Sequence, residues 1–382
     1  MKEWIKCPLG DILNFRRGHD LPKTSMIPGD IPVAGSNGII GFHNVDTPIS
    51  PCITIGRSGN VGTPYIYDKC WAHNTVLYID DYKGNDPKYL YYLLKTLPLA
   101  SFGGGSAVPT LNRNHIHPLE VIFCKDIELQ KKIAGILSKI DDKIELNRQI
   151  NDNLEQQAQA LYKSWFVDFE PFEDGEFVES EMGEIPVGWT VVKFSDLTEI
   201  PKKTINPQKF PETIFKHYSL PACDNGLIPE NQTGKDIMSN KIILQNNTTL
   251  FSKLNPRIKR IWFTCEVQPN SICSTEFIPY RATNENESGY IFSIINSEAF
   301  YASVMGCVNG ATGSHQRFHA EDTDDFLCAY NKEAVNEFSQ HIDIILKQMH
   351  DLRQENVKLA SMRDTLLPKL MSGELKINEI DC

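Results

Sequence analysis

Residues 133–165 read IAGILSKIDDKIELNRQINDNLEQQAQALYKSW, and this stretch decides the fold. Along it, apolar residues and asparagines recur at alternating steps of four and three positions, which is the heptad spacing of a coiled coil. The seam consists of Ile133, Leu137, Ile140, Ile144, Asn147, Asn151, Leu154, Ala158, Leu161 and Trp165. The spacing predicts one long helix that packs along its length against another helix.

A second stretch repeats this register. Residues 338–370 read FSQHIDIILKQMHDLRQENVKLASMRDTLLPKL, and each seam position lies 205 residues after its counterpart, from 133 and 338 to 165 and 370. The second seam consists of Phe338, Ile342, Ile345, Met349, Leu352, Asn356, Leu359, Arg363, Leu366 and Leu370. The single offset predicts two matched helices. The plainer alternative is a pair of amphipathic helices whose polar seam positions are accidental.

Asn151 and Asn356 occupy matching seam positions, each near the middle of its helix. A buried asparagine in a coiled-coil seam fixes register and orientation at some cost in stability. If the two helices pack antiparallel, we expect Asn151 and Asn356 to lie close enough to hydrogen bond or nearly so.

The segments that precede the two helices have the same order of predicted elements. In the first half these are a strand at 76–79, a helix from Pro87 to Leu97 with Asp86 as its cap, a Gly-rich loop at 103–106 and an apolar run at 119–124. In the second half they are a strand at 290–295, a helix at 297–307, a loop at 309–314 and an apolar run at 326–330. Each half is therefore predicted to be a mixed α/β domain.

The two halves differ in length. From Trp4 to the start of the first seam there are 129 residues, and from Trp189 to the start of the second there are 149. Between the halves, residues 172–188 are acidic and contain glycine and proline, which is typical of a linker. The predicted organisation is a domain at 1–127, a long helix at 128–170, a linker at 171–188, a domain at 189–332, a long helix at 333–371 and a tail at 372–382.

The composition is that of a soluble globular protein, with 41% hydrophobic and 23% charged residues. No stretch approaches the roughly 18 apolar residues of a membrane span, and the start, MKEWIK, lacks the core of a signal peptide. We therefore expect a cytoplasmic protein with no membrane partner. Ten cysteines without a CxxC pair favour free thiols over zinc or disulfides. The formal charge of -11 argues against non-specific coating of DNA but leaves room for a local basic face.

An intrinsic active site would leave a recognisable motif. Amino-methyltransferases grip their flipped base with a motif that contains two adjacent prolines, and no two prolines are adjacent in this chain. The Gly-rich segment at 103–106 lacks the preceding strand of a cofactor loop, and Gly234-Lys235 lacks the first glycine of a P-loop. We predict no catalytic residue, no metal site and no cofactor.

Four motifs together resemble the specificity subunits of type I restriction-modification systems. They are DDKIELN at 141–147, ALYKSWFVDF at 160–169, EIPVGW at 184–189 and RDTLLPKL at 363–370. The resemblance covers essentially the whole chain, and the motifs are specific when they are taken together.

The resemblance implies two α/β (α+β) target-recognition domains in pseudo-repeat, connected by two long antiparallel coiled-coil helices. It also implies a split target in double-stranded DNA, two modification methyltransferase subunits and, for restriction, motor-nuclease subunits. This chain would be the non-catalytic subunit of that restriction endonuclease and adenine methyltransferase complex. The 32 steps of each seam at ~1.5 Å give roughly 48 Å, enough to hold two readers on the order of one DNA turn apart. The unequal domains predict an asymmetric target.

Candidate DNA contacts are the Arg, Lys, Asn, Gln and Ser side chains that stand in glycine-rich or basic segments, because such groups bond base edges and phosphates. In the first domain they are Arg16, Arg17, Asn37, Arg57, Ser58, Asn74, Ser106 and Arg113. In the second they are Lys253, Arg257, Arg260, His315, Gln316 and Arg317. A solvated turn is the alternative for each loop. Trp165, Phe166 and Phe169 are expected to pack at the helix end or to form a dock for a methyltransferase subunit.

Two other functions also fit the sequence. One is a coiled-coil scaffold whose α/β domains bind protein, which the acidic balance favours mildly and a flat salt dependence of binding would support. The other is a silent or decoy specificity subunit, which binds a methyltransferase without a functional target.

Overall fold

The computed structural model describes residues 4–103, 110–308 and 316–377. The chain divides into two compact units. Met1–Glu145 and Lys358–Cys382 form unit 1, and Leu146–Val357 form unit 2. Each of the two long helices contributes residues to both units.

Unit 1 combines short strands with helices around one main core. Its strands are β1 (Trp4–Pro8), β2 (Asn14–Arg17), β3 (Ile31–Gly35), β4 (Gly38–His43), β5 (Cys52–Gly56), β6 (Pro64–Tyr67), β7 (Trp71–Ala72), β8 (Val76–Asp81) and β9 (Glu120–Cys124). Its helices are α1 (Leu9–Ile12), α2 (Pro87–Lys95), α3 (Arg113–Ile116) and the first part of α4 (Ile127–Phe166). The predicted strand at 76–79 and the helix capped by Asp86 are confirmed, since the Asp86 side chain accepts from the Tyr89 amide.

The elements of unit 2 follow in the same manner. Its strands are β10 (Phe177–Ser180), β11 (Gly183–Pro186), β12 (Thr190–Lys193), β13 (Thr198–Glu199), β14 (Thr204–Ile205), β15 (Ile214–Tyr218), β16 (Glu230–Thr233), β17 (Lys241–Ile243), β18 (Thr248–Ser252), β19 (Ile261–Thr264), β20 (Ser271–Cys273), β21 (Phe277–Ala282) and β22 (Leu327–Tyr330). Its helices are α5 (Phe194–Leu197), α6 (Leu220–Asp224), α7 (Ser288–Asn296), α8 (Glu298–Gly306), the second part of α4 and the first part of α9 (Lys332–Ser372), whose remainder belongs to unit 1.

The two units repeat one topology. The central sheet of unit 1 has the order β2-β8-β5-β6, and that of unit 2 has the order β13-β21-β18-β19, with antiparallel pairing throughout. A strand near the start of each domain pairs with its last strand, β1 with β9 and β12 with β22. The predicted mixed α/β fold in pseudo-repeat is confirmed.

One predicted element is wrong. Residues 290–295 were expected to form a strand, but they lie in helix α7, and the counterpart of β8 is β21. All nine residues of α7 are buried, so its apolar run has no polar face to reveal a helical period. A short continuous apolar run does not distinguish a strand from a buried helix.

The additional length of unit 2 lies in its second sheet. In unit 1 this sheet has three strands in the order β4-β3-β7, whereas in unit 2 it has five in the order β14-β17-β20-β15-β16. The parallel pair β3 and β7 corresponds to the parallel pair β15 and β20. Ser36 and Asn37 form the turn after β3, while helix α6 stands at the same place in unit 2.

The long helices α4 and α9 run antiparallel. Within unit 1 the Arg363 guanidinium donates to Asp141 at 2.7 Å, and within unit 2 the ring centroids of Phe166 and Phe338 lie 4.9 Å apart. Positions that rise along α4 therefore meet positions that fall along α9. The buried seam residues are Ile133, Leu137, Ile140, Ile144, Asn147, Asn151, Leu154, Ala158, Phe338, Ile342, Met349 and Leu370. The half-buried ones are Leu161, Trp165, Ile345, Leu352, Asn356, Leu359, Arg363 and Leu366.

The asparagine pair differs from the expected one by a helical turn. Asn147, not Asn151, donates to the Asn356 side-chain oxygen at 2.9 Å and to Glu355 at 2.7 Å. The internal repeat places Leu352 opposite Asn151 in the equivalent position, and the Asn151 side-chain oxygen is buried with no hydrogen-bond partner among the described residues. The internal repeat is thus imperfect at this point. The polar pair Asn147 and Asn356 corresponds to a polar residue, Asn151, opposite an apolar one, Leu352.

Aromatic residues at the end of α4 pack into the core of unit 2. The Phe166 ring lies 4.6 Å from Tyr290, and the Phe169 ring lies 5.4 Å from Trp189. Trp165 contacts Phe338 at 5.8 Å. The segment predicted as a linker contains the antiparallel hairpin of β10 and β11.

Candidate nucleic-acid interface

Four of the predicted DNA contacts converge in unit 1. Arg16, Arg17, Arg57 and Arg113 line one open cleft of about 410 Å³, together with residues 110–112 and Leu77. No acidic residue is among the described residues that line it. A concave surface that carries four guanidinium groups suits a phosphate backbone or the acceptor edge of a guanine.

Backbone contacts bring these arginines together. Arg16 and Arg17 end strand β2, while Arg113 begins helix α3 and donates to the Phe15 carbonyl at 3.2 Å. The Phe15 amide in turn donates to His117 Nε2 at 3.1 Å, so α3 is tied to β2 at two points. Arg57 follows β5, and its carbonyl accepts from the Leu111 amide at 2.8 Å.

Glycines allow two turns to meet beside Arg57. A Cβ on Gly56 would lie 1.7 Å from the Asn60 carbonyl oxygen, so a side chain does not fit there. Gly59 has a φ of +85° and lies 3.4 Å, measured from an ideal Cβ, from the Ser36 hydroxyl. The predicted contact Asn37 is exposed in the turn next to Ser36, so it lies beside the cleft.

The electrostatics of Arg57 differ from those of an ordinary surface arginine. Partial burial, and then the neighbouring Arg17, lower the pKa of the Arg57 guanidinium below its ordinary value. Its NH1 atom lies 3.5 Å from the Asn74 carbonyl, and the Asn74 amide donates to Asp20 at 2.5 Å. Like charges gathered in the cleft, with no acid among its described lining residues, favour an anionic ligand.

The same backbone frame recurs in unit 2. The Phe318 amide donates to the Lys253 carbonyl, as the Leu111 amide donates to the Arg57 carbonyl in unit 1. Leu254 forms an isolated antiparallel β-bridge with Arg317, and Ser58 forms the equivalent β-bridge with Thr110. The Asn255 amide also donates to the Gln316 carbonyl at 2.8 Å. Lys253, Gln316 and Arg317 thus occupy the places that correspond to the cleft of unit 1.

The charges on this second surface are arranged differently. Two nitrogens of Arg317 donate to Glu276, each at 3.2 Å, and Arg260 makes a two-point salt bridge to Asp224 at 2.6 and 2.8 Å. These bonds raise the pKa of both arginines, and they lower the pKa of Asp224. Arg257 is exposed. Carboxylates therefore compensate the positive charges of Arg260 and Arg317, unlike those of the arginines that line the cleft of unit 1.

Several features of the two surfaces were not predicted from the sequence. Asp224 and Glu276 lie 36 and 41 residues from their arginines, and no local pattern indicates such pairs. Ser106 and His315, together with the loops at 104–106 and 309–314, lie outside the described residues.

The described part of the chain contains neither a membrane-spanning helix nor a cluster of metal ligands. No helix there is long and apolar enough to cross a bilayer. In residues 4–103, 110–308 and 316–377, no three His, Cys, Asp or Glu side chains gather as a metal site requires.

Comparison with known proteins gives consistent matches. The family model of the type I restriction modification DNA specificity domain matches residues 1–156. The MjaIX type I restriction enzyme specificity subunit of Methanocaldococcus jannaschii is 26% identical over 314 residues, which cover 77% of this chain and 70% of the relative. The HindI specificity subunit of Haemophilus influenzae is 67% identical over 46 residues, 12% of this chain and 10% of the relative.

A solved structure has the same fold. The S subunit of a type I restriction-modification system from M. genitalium aligns with a TM-score of 0.59 and 16% sequence identity, covering 96% of each chain. At this identity the likeness concerns the fold alone.

Proposed function

We propose that the chain is a type I restriction-modification specificity subunit, which its match to the specificity-domain model and to the M. jannaschii specificity subunit supports, and that it reads a bipartite, asymmetric sequence in double-stranded DNA. On that sequence it positions two modification methyltransferase subunits and, for restriction, motor-nuclease subunits. The chain itself supplies no catalytic group in this proposal, and the chemistry belongs to its partners.

The observation that carries the proposal is the backbone frame that both units repeat with unlike side chains. Both units hold the segment after the central strand against a second segment by the same backbone bonds, Leu111 to Arg57 and Phe318 to Lys253. Unit 1 presents four arginines there, while unit 2 presents an arginine already bound to Glu276. One frame with two different surfaces suits two unlike half-sites.

The proposal also assigns the segments of the chain. Residues 1–127 and 189–332 are target-recognition domains, and residues 128–170 and 333–371 are the spacer helices. Residues 171–188 connect the halves, and residues 372–382 form a tail. In this scheme, the DNA contacts are the candidate residues of the two domains, with Arg57 the principal one in the first.

Methylation mapping tests the proposal. The chain and its cognate methyltransferase subunit are expressed together in a host without other DNA methylation, and single-molecule sequencing locates methyladenine. We expect one motif of two unlike elements separated by a fixed, unspecified gap, and no methylation without the chain. A continuous motif, or methylation that does not depend on the chain, would refute the proposal. An affinity for DNA that does not change with salt concentration would favour the scaffold alternative.

A further inference from the structure

The hairpin of β10 and β11 lies in the most acidic part of the chain. Residues 164–192 contain eight Asp or Glu residues and no Lys or Arg. Of these eight carboxylates, Asp168 alone forms an ion pair with a described residue, Lys163. The others on the hairpin and around it are exposed. This surface repels DNA, so its partner is not a phosphate backbone.

Two of these carboxylates face each other. Glu179 and Glu184 are directly opposed in the antiparallel ladder of the hairpin. Like charges at directly opposed positions of a β-ladder destabilise it, because their side chains lie on the same face at close range. Neither carboxylate forms an ion pair among the described residues, so their opposed positions predict repulsion in the unbound chain.

Apolar side chains are exposed beside the acidic ones. Val178 is 47% exposed, Met182 42% and Val187 59%. Side chains alternate between the faces of a strand, so Val178 lies on the face opposite Glu179 and Glu184, and the hairpin exposes apolar groups on one face and the opposed carboxylates on the other. The two strands form a sheet of their own, and among the described residues no further strand pairs with either of them. An extended segment of a partner can therefore add to an edge of this hairpin.

We propose that the hairpin is a docking surface for a basic, extended segment of the methyltransferase subunit. Alternate side chains of that added segment reach both faces of the hairpin: a Lys or Arg lies beside Glu179 and Glu184 on one face, and apolar side chains cover Val178 and Val187 on the other. Charge complementarity selects a cationic occupant, and exposed apolar groups select protein over a free cation. The assignment to the methyltransferase rests on the proposed function, since a methylating complex contains this subunit whether or not a nuclease is present.

The test uses the full chain with Glu179→Gln and Glu184→Gln, and titrates the purified cognate methyltransferase subunit at several salt concentrations. We expect the dissociation constant to rise at least tenfold at low salt, with a shallower salt dependence. The thermal midpoint of the isolated variant should stay the same or rise, because the repulsion is gone. Loss of binding with a gain in stability is a combination that a merely structural role does not produce.

A second variant and a control complete the design. Val178→Ser with Val187→Ser should also weaken binding, but without a change in salt dependence. The control, Asp30→Asn with Glu212→Gln, removes the same charge from exposed acids elsewhere and should bind as the unmodified chain does. Unchanged affinity of the Glu179 and Glu184 variant would overturn the proposal while the methylation motif is retained. If the unmodified chain failed to bind the methyltransferase, the proposed function would fall with it.

Discussion

At Arg57, one side chain combines the features of a DNA contact in unit 1. It lines the cleft with Arg16, Arg17 and Arg113, its pKa is lowered by burial and then by Arg17, and its backbone is fixed by Leu111. Because this guanidinium lies among like charges, its removal costs the free protein little stability. Its removal costs more when an anion is bound, because a charge-assisted hydrogen bond to that anion is lost.

We therefore predict that Arg57→Ala weakens binding to the cognate sequence by about 1 to 3 kcal/mol, the range of one good base contact. The thermal midpoint of the free chain should change little. Fluorescence anisotropy with the cognate duplex and a scrambled one measures both affinity and discrimination. If Arg57 contacts a base, discrimination falls, whereas a phosphate contact lowers both affinities and reduces the salt slope by about one.

Lys69→Ala is the matched control for this measurement. Lys69 is an exposed cation of the same unit and is not among the residues that line the cleft. Its loss should leave the affinity within about twofold, as expected for a distant charge screened by salt. Equal effects of the two substitutions would show that net charge, not the cleft, governs binding.

At the residue scale, the sequence indicated the cationic side chains but not which of them are paired with carboxylates. Arg317 and Arg57 were equal candidates because both stand in polar loops. The structure pairs Arg317 with Glu276, which follows a turn 41 residues earlier. An ion pair of this kind depends on which strands are neighbours, and a local pattern carries no such information.

At the scale of elements, long periodic segments were predictable and short buried ones were not. The helix pair follows from a seam that extends over many turns, each of which adds to the signal. Helix α7 was mistaken for a strand because its residues are buried on every side. The asparagine pairing also depends on how far the two helices are shifted along their axes. The heptad register does not determine this shift to better than one helical turn.

The pairing gives a prediction for the two helices. Asn356→Leu should destabilise the chain by about 1 to 3 kcal/mol in urea unfolding, because the buried Asn147 amide loses a partner. Adding Asn147→Leu should recover much of this loss, since both polar groups are then absent. The coupling energy between the two positions is expected to exceed about 0.5 kcal/mol, as for residues in contact.

Asn151→Leu distinguishes the observed pairing from the one expected from the sequence. Its side-chain oxygen has no hydrogen-bond partner among the described residues, so the substitution should be neutral or stabilising. A double-mutant cycle of Asn151 with Asn356 should give a coupling near zero. A large coupling in that cycle, and none between Asn147 and Asn356, would contradict the arrangement of the helices described above.

At the scale of the whole molecule, the fold is a repeat that has diverged where DNA is expected to bind. The central sheets keep the same strand order, and each unit has its own large core. The differences are concentrated in the turn at Ser36, which α6 replaces, and in the charges beside Lys253 and Arg317. The sequence predicted two similar domains of unequal length, but the location of the added strands required the sheet order.

Two separate cores predict that each half of the target is read independently. Replacing residues 1–127 with those of a relative that methylates a different sequence should change one element of the methylated motif and leave the other element and the gap unchanged. Residues on different surfaces with no shared partners contribute additively, so the unmodified half retains its discrimination. Single-molecule sequencing of the methylated host genome provides the measurement.

The junction of this exchange must preserve the core of unit 1. Ile133 and Leu137 of α4 are fully packed there, so a donor with different core volumes would lower the thermal midpoint and obscure the result. An unchanged midpoint is therefore the condition for interpreting the motif. With that condition met, a motif altered in both elements would mean that the two domains do not read the DNA separately. A motif altered in neither would mean that residues 1–127 do not read the sequence.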